Sequence, residues 1–302
     1  MKTMQAAVVS TPGGPEAIEI VERPIPQPGP GQVRVRVAAA AVNPVDLSTR
    51  AGVYHRMGRI TGPITGLGWD VAGTVDAVGS DVSFGIGEPV AGMLDTFDRP
   101  YGTYAEYVVI AATALARVPD QVPPTIAAAV PLAGITARAI ADQLGVGNGR
   151  RLLVTGAAGA IGGYLIRLAA EHGWQASGLA RASDRAFVES QGAQLVTEPG
   201  QGWDAVADPA AIGSPALEAV ADGGRYVGVR PGRGAESTRG IVTNEVRAAA
   251  DGVVVRDLLD RVRRGVLDVR VNTVLPLSKA ADAHTLAETR GLRGRIILDP
   301  TQ

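Results

Sequence analysis

Hydrophobic and polar positions alternate with a period of two through the first third of the chain and with longer periods afterwards. In "QVRVRVAAAAV" (32–42), Val33, Val35 and Val37 stand against Arg34 and Arg36, the pattern of a strand with one buried face. "AAVVS", "AIEIVERPIP", "DVAGTVDAVG", "PVAGM" and "AEYVVI" are short, apolar or alternating, and bounded by Pro and Gly, so they read as further strands. "RPIPQPGPGQ" (23–32) is a turn-rich connection, because its prolines supply no N–H to a ladder. From about residue 124 the pattern changes. Apolar runs at 151–155, 175–179, 194–197, 204–208 and 225–229 alternate with helical segments and predict a parallel sheet of βαβ units. The tail is mixed: helix "RDLLDRVRRG", strand "VRVNTVLPL", helix "SKAADAHTLAE", strand "GRIIL". Polar, glycine-rich "RPGRGAESTRG" (230–240) reads as a mobile loop.

The first parallel strand runs into "LLVTGAAGAIGG" (152–163), with glycines at 156, 159, 162 and 163, and the next segment "YLIRLAAEHG" has helical apolar spacing. In that strand–turn–helix context the glycines read as a dinucleotide site. Gly156 allows the sharp turn, Gly159 clears the approach to a pyrophosphate, and Gly162 allows close helix packing. Free N–H groups of Ala158, Gly159, Ala160 and Ile161 at the helix start favour the phosphates. The competing reading is a strand–helix turn whose glycines serve packing alone. The second strand ends in "GLARASDRA" (178–186), where an NAD site usually carries an acid for the ribose hydroxyls. Here Ala180 is followed by Arg181 and Arg185, which suit the 2′-phosphate of NADPH. Asp184 reads equally well as a first-turn helix acid.

Composition narrows the picture. At 302 residues the chain can hold one large or two medium domains, and a net charge of −1 suggests no nucleic-acid partner. The sequence shows neither an 18-residue apolar run nor a basic-then-apolar leader, so a soluble cytoplasmic protein without a membrane partner is expected. Cysteine is absent, which excludes disulfides, thiolate nucleophiles and cysteine-ligated zinc. His55, His172 and His284 lack ligand spacing, and no metal is expected. Lys2 and Lys279 are the lysines among 29 basic residues, a bias that weakens arguments from any single arginine.

Eight stretches carry a family resemblance, in order along nearly the whole chain: "GGPEAIEIVERPIPQPGPGQVRVRV", "AVNPVD", "GWDVAGTVDAVGSDV", "YGTYAEYVVI", "AAAVPLAGITA", the glycine turn, "ADGGRYVGV" and "LPLSKAADAHTLAETRGLRGRIIL". Together they resemble the medium-chain dehydrogenase/reductase superfamily, in its zinc-independent quinone oxidoreductase and enoyl reductase branch. The resemblance implies an α/β protein: a GroES-like β-barrel catalytic domain (1–117), a Rossmann doubly wound parallel sheet binding NADPH (118–248), and a C-terminal return to the catalytic domain (249–302). It implies hydride delivery to the C=C of an α,β-unsaturated carbonyl or to a quinone, and a homodimer in which "IVTNEVRAAAD" (241–251) supplies an edge strand.

The resemblance also assigns candidate site residues. Tyr54, in "RAGVYHRMG", matches a proposed proton donor, since a phenol stays protonated at neutral pH; His55 is its alternate. Asn43 matches a residue near the nicotinamide ribose and substrate, and Thr136 one that faces the nicotinamide. Asp46 reads as the N-cap of the helix "LSTRAG", and Asp70 as a structural acceptor. Trp69 cannot coordinate the metal of zinc-dependent relatives. The chain is short for the family, with the trimming expected between 198 and 250, and "TEPGQ" replaces a segment that often carries an adenine-side tyrosine. Two further readings stay open: a non-redox lyase or cyclase on this scaffold, and an NADPH-binding protein with little turnover.

Overall fold

The structure is a computed structural model that describes residues 2–229, 239–289 and 291–302. Most of the loop expected over 230–240 lies outside the described residues. The chain divides into two compact units, Met1–Leu132 with Ala250–Arg264 and Val269–Gln302, and Ala133–Ala249 with Gly265–Asp268.

The first unit is built from β1 (Thr3–Val9), β2 (Glu19–Pro24), β3 (Gln32–Ala41), β4 (Thr65–Gly66), β5 (Asp70–Val78), β6 (Pro89–Met93), β7 (Tyr107–Ala111) and β8 (Leu115–Arg117). Short helices α1 (Pro44–Arg50) and α2 (Val53–Arg56) follow β3, and α3 (Pro124–Ala127) follows β8. One sheet runs β2-β1-β4. In the larger sheet β3 pairs antiparallel with both β5 and β7, β5 with β6, and β6 with β8. The alternation of β3 is obeyed: Val33, Val35 and Val37 are at most 1% exposed and join one core with Val71, Val75, Val90, Val108 and Ile110.

The second unit opens on α4 (Pro131–Leu144) and contains β9 (Arg151–Thr155), α5 (Ala160–Glu171), β10 (Gln175–Leu179), α6 (Arg185–Ser190), β11 (Gln194–Val196), β12 (Trp203–Asp208), α7 (Ser214–Glu218), β13 (Val220–Gly228) and β14 (Val242–Glu245). Its six strands lie in the order β11-β10-β9-β12-β13-β14, all neighbours parallel. This is the expected doubly wound sheet with β14 as an edge. Among the described residues the expected alternation of strand and helix fails between β11 and β12. No helix joins β11 to β12, although β10 and β9 lie between them; residues 197–202 cross three strand positions, about 14 Å, as an irregular bent connection with Gly200 and Gly202 at left-handed φ. Trp203 closes the connection by donating to the Pro199 carbonyl at 2.6 Å.

The chain then supplies the first unit with α8 (Gly252–Arg263), β15 (Val271–Pro276), α9 (Ala280–Ala287) and β16 (Arg295–Asp299). Asp251 caps α8 by accepting from the N–H groups of Val253 and Val254, so this helix starts four residues before the expected one. β16 pairs with β15 and reaches the end of β3 through Ile297–Ala41 and Leu298–Ala40. The N- and C-terminal parts of the chain therefore share one sheet. One expectation about apolar runs needs correction: Pro124–Leu144 is apolar and long enough to cross a membrane by length and composition, but 67% of its apolar window is buried inside the protein, as in a core helix.

Candidate functional site

In the second unit the glycines answer to measurable constraints. Gly156 has φ +56°, and a Cβ there would stand 3.0 Å from that of Ala210. A Cβ on Gly162 would lie 2.3 Å from the Gly156 carbonyl oxygen, so this glycine lets α5 close on the turn itself rather than on the sheet. Gly159 is the N-cap of α5, followed by Ala160 and Ile161, so the first N–H groups of a 12-residue helix emerge beside an N-cap that carries no side chain. Gly163 faces the Phe187 ring, where a Cβ would meet Cζ at 3.1 Å. Ala158 is 3% exposed behind the turn, and Thr136 is 8% exposed within α4. Gly156, Gly159 and Gly162 leave backbone exposed at the turn and the start of α5, a shape suited to a dinucleotide phosphate.

At the end of β10, Arg181 is exposed and Arg185 makes an (i, i+4) pair with Glu189 at 2.9 Å on the surface. Asp184 is 8% exposed and stands at the N-cap position of α6, turned into the protein rather than presented at the strand end. Sequence reasoning missed Asp208, which ends β12 with no exposed surface. It accepts bonds from the Thr155 and Tyr226 hydroxyls and from the N–H groups of Ile212 and Gly213. Burial and the Asp208 charge push the Tyr226 phenol upward.

In the first unit a buried polar cluster ties four distant segments together. Asn43 caps α1 with Pro44 at N1, and Asp46, at N3, accepts from the Asn43 N–H at 2.9 Å. Asp46 is therefore the inner member of a capping box, not the N-cap expected for it; the proline fixes the helix start three residues earlier. The Asn43 amide donates to the Ala41 carbonyl at 3.1 Å and to Asp70 at 3.0 Å, while its oxygen accepts from Arg295. Both amide donors are thus engaged within the protein, and Asn43 is 2% exposed. Asp70 is a fully buried acceptor, as expected, taking bonds also from the Leu132 N–H at 2.8 Å and from Arg295 at 3.4 Å.

Burial pushes the Asp70 carboxyl up to about 6, restrained by the Arg295 charge and the Asn43 and Leu132 bonds. Burial pushes Asp46 up to about 7 despite bonds from Asn43 and Gly68 and the Arg99 charge. Arg99 is itself 8% exposed, donates to the carbonyls of Gly68 and Thr96, and is pushed down to about 10 by burial. Tyr104 donates to Asp46 at 3.2 Å, and burial raises its phenol far above the ordinary value.

Beside this cluster Tyr54, Phe97 and Trp69 form an aromatic patch. The Tyr54 and Phe97 ring centroids are 4.3 Å apart, and Phe97 meets Trp69 edge-on at 5.1 Å. Tyr54 and Phe97 are half-buried, whereas Trp69 is 5% exposed with the Arg99 guanidinium 5.2 Å from its ring. His55 approaches the Thr65 hydroxyl through Nε2 at 3.4 Å, and its buried Nδ1 has no partner among the described residues. Asp98 fixes the loop carrying Phe97 by accepting from the N–H and hydroxyl of Thr61 and from the Gly62 N–H.

Two family models match the chain: an alcohol dehydrogenase GroES-like domain over residues 29–120 and a zinc-binding dehydrogenase domain over 182–298. A 2-methylene-furan-3-one reductase of Solanum lycopersicum is 31% identical over 283 residues, covering 87% of this chain and 70% of its own. An NADPH-dependent alkenal/one oxidoreductase of Arabidopsis thaliana is 28% identical, covering 99% of this chain and 80% of its own. The structure of a quinone oxidoreductase from Coxiella burnetii superposes with a TM-score of 0.89 at 26% identity, covering 99% of each chain. The chain belongs to the medium-chain dehydrogenase/reductase superfamily, in the quinone oxidoreductase branch, and is an oxidoreductase of nicotinamide-dependent type. The cradle at Gly156–Gly162 fits such a cofactor. A catalytic zinc does not fit the donor set: Trp69 has no lone pair to offer, both Asp70 oxygens are bonded within the protein, and no group of three or more His, Cys, Asp or Glu ligands converges among the described residues.

Proposed function

We propose that the protein is an NADPH-dependent, zinc-independent reductase of the C=C bond in α,β-unsaturated carbonyls, or of quinones. The observation that carries this reading is the bare glycine cradle at the start of α5 in a chain whose relatives are named for enone, alkenal and quinone substrates. Those substrate classes share an electron-poor C=C conjugated to a carbonyl. When bound, the cofactor supplies a hydride. The chain must then bear the negative charge that grows on the carbonyl and deliver a proton to the adjacent carbon. Tyr54 serves as that proton donor, with His55 as its alternate, on the half-buried patch with Phe97 and Trp69. Asn43 anchors α1 to β5 and β16 beside this patch. Arg181 and Arg185 receive the 2′-phosphate at a strand end without a carboxylate.

Mixing the protein with NADPH and a panel of enones and quinones, after exhaustive chelation, tests the reading through loss of the reduced-nicotinamide absorbance. Oxidation of NADPH with at least one member is expected. Substrate consumption without it would point to lyase or cyclase chemistry, and NADPH binding without turnover to a binding protein. Arg181→Glu is expected to weaken NADPH about tenfold, or about 1.4 kcal/mol, and NADH far less; equal losses would remove the NADPH argument. We further propose a homodimer in which β14, the exposed edge, pairs with its copy. A monomer mass by light scattering at micromolar protein would refute that.

A further inference from the structure

At the carboxyl ends of β9, β12 and β13, one carboxylate gathers three strands and a loop. Asp208 uses Oδ1 for the Thr155 hydroxyl and for the Ile212 N–H at 3.1 Å, and Oδ2 for the Tyr226 hydroxyl and the Gly213 N–H, both at 2.9 Å. The Thr155 oxygen in turn accepts from the Ala210 N–H at 3.2 Å. Thus residues 210, 212 and 213 are all tethered, directly or through Thr155, to one buried side chain. The loop they form is under strain: Ala211 sits at φ +53°, a left-handed conformation that costs a non-glycine residue energy and persists only where surroundings impose it. The loop is also not remote. Ala210 Cβ would lie 3.0 Å from a Cβ on Gly156, so it forms the wall against which the first glycine of the nucleotide turn is fitted.

We propose that Asp208 is a positioning residue for cofactor binding: through Thr155 and the 210–213 backbone it holds a strained loop against Gly156 and so sets the shape of the nucleotide turn. This rests on the dinucleotide reading of that turn. The acceptor chemistry suits the task. Four donors converge on Asp208, and a carboxylate is acceptor-only, with two oxygens able to take two bonds each. An asparagine has one acceptor oxygen, so its amide nitrogen would face two donors and release half of the clamp.

The test is direct binding of NADPH, by calorimetric titration, to the parent protein and to Asp208→Asn, Thr155→Val and Thr155→Ser, with melting temperatures recorded in parallel. Asp208→Asn and Thr155→Val are expected to raise the NADPH Kd at least tenfold, with kcat at saturating cofactor within threefold of the parent. Thr155→Ser, which keeps the hydroxyl, is expected to bind within twofold of the parent. If Asp208→Asn does not fold, the Thr155 pair decides, because Val and Thr are nearly isosteric. Lower melting temperatures with Kd unchanged in Thr155→Val would overturn the proposal and leave Asp208 a purely structural residue. Failure of the parent itself to bind any nicotinamide nucleotide would instead overturn the reading of the turn.

Discussion

Asp70 and Asp208 each have no exposed surface, and each closes a polar knot at the end of a sheet strand, yet the two knots are built from different materials. Asp70 stands at the start of β5 and meets a charge, Arg295, 225 residues away in β16. Asp208 meets four neutral donors from its own unit: two hydroxyls and two backbone N–H groups. A guanidinium offsets the cost of burying a carboxylate only while both partners remain, since either one left alone is a desolvated, unpaired charge. Neutral donors can be lost one at a time. The first knot therefore makes the returning C-terminal segment obligatory to the first unit, and the second adjusts the geometry of a loop.

The largest expected effect removes one half of the first knot. Arg295→Met leaves Asp70 buried without its counter-charge and should cost about 3–5 kcal/mol by urea unfolding. A loss under about 1 kcal/mol would mean that the Asn43 and Leu132 bonds suffice, and would erase the distinction between the knots. The same region should carry a pH signature. The Asp46 and Asp70 carboxyls sit near 7 and 6 in the folded protein, against 3.8 when unfolded. Raised folded values favour the protonated form, so their contribution is full below about pH 4 and is lost as pH rises through 6 to 7. These two carboxyls therefore contribute a fall in unfolding free energy between pH 4 and pH 7. His284 contributes an opposing rise, because burial pushes its imidazole down to about 3 from 6.5. Asp46→Asn should remove its share of the fall, so a difference between variant and parent that does not change over that range would contradict the assignment.

A smaller effect is expected at the turn. Gly162→Ala drives a Cβ against the Gly156 carbonyl oxygen, an overpacking that should cost about 1–3 kcal/mol and weaken NADPH binding with it. Undiminished affinity would show that the cradle tolerates movement. The smallest free-energy change should come from Tyr54→Phe, which keeps the ring on Phe97 and deletes the hydroxyl. A fall of at least tenfold in kcat on an enone is expected, about 1.4 kcal/mol of barrier, with NADPH Kd within twofold. Unchanged turnover would transfer the proton delivery to His55 or water.

The turn and the cap show what the sequence could reveal. Gly156 to Gly163 are contiguous, and the strand and helix on either side are set by local periodicity, so the strand, glycine turn and helix are legible in the sequence. The α1 cap is legible too, because Pro44 at N1 marks Asn43, three residues before Asp46, as the N-cap. The knots were not legible. Arg295 is one basic residue in an arginine-rich chain, and only the antiparallel pairing of β16 with β3 brings it to Asn43. Asp208 looks like an ordinary end to an apolar strand until β9 and β13 place Thr155 and Tyr226 beside it. The missing helix between β11 and β12 escaped for a related reason: periodicity locates strands, whereas strand order, which shows what a connection must cross, is a tertiary property.

The central claim is that the chain reduces a conjugated C=C bond with a nicotinamide hydride. Turnover of an enone with NADPH carrying deuterium at C4 of the nicotinamide on the transferred face, followed by NMR of the product, reads that step directly. The account predicts a saturated ketone with deuterium on the β-carbon and a solvent-derived proton on the α-carbon. Deuterium on the carbonyl carbon of an allylic alcohol would contradict it.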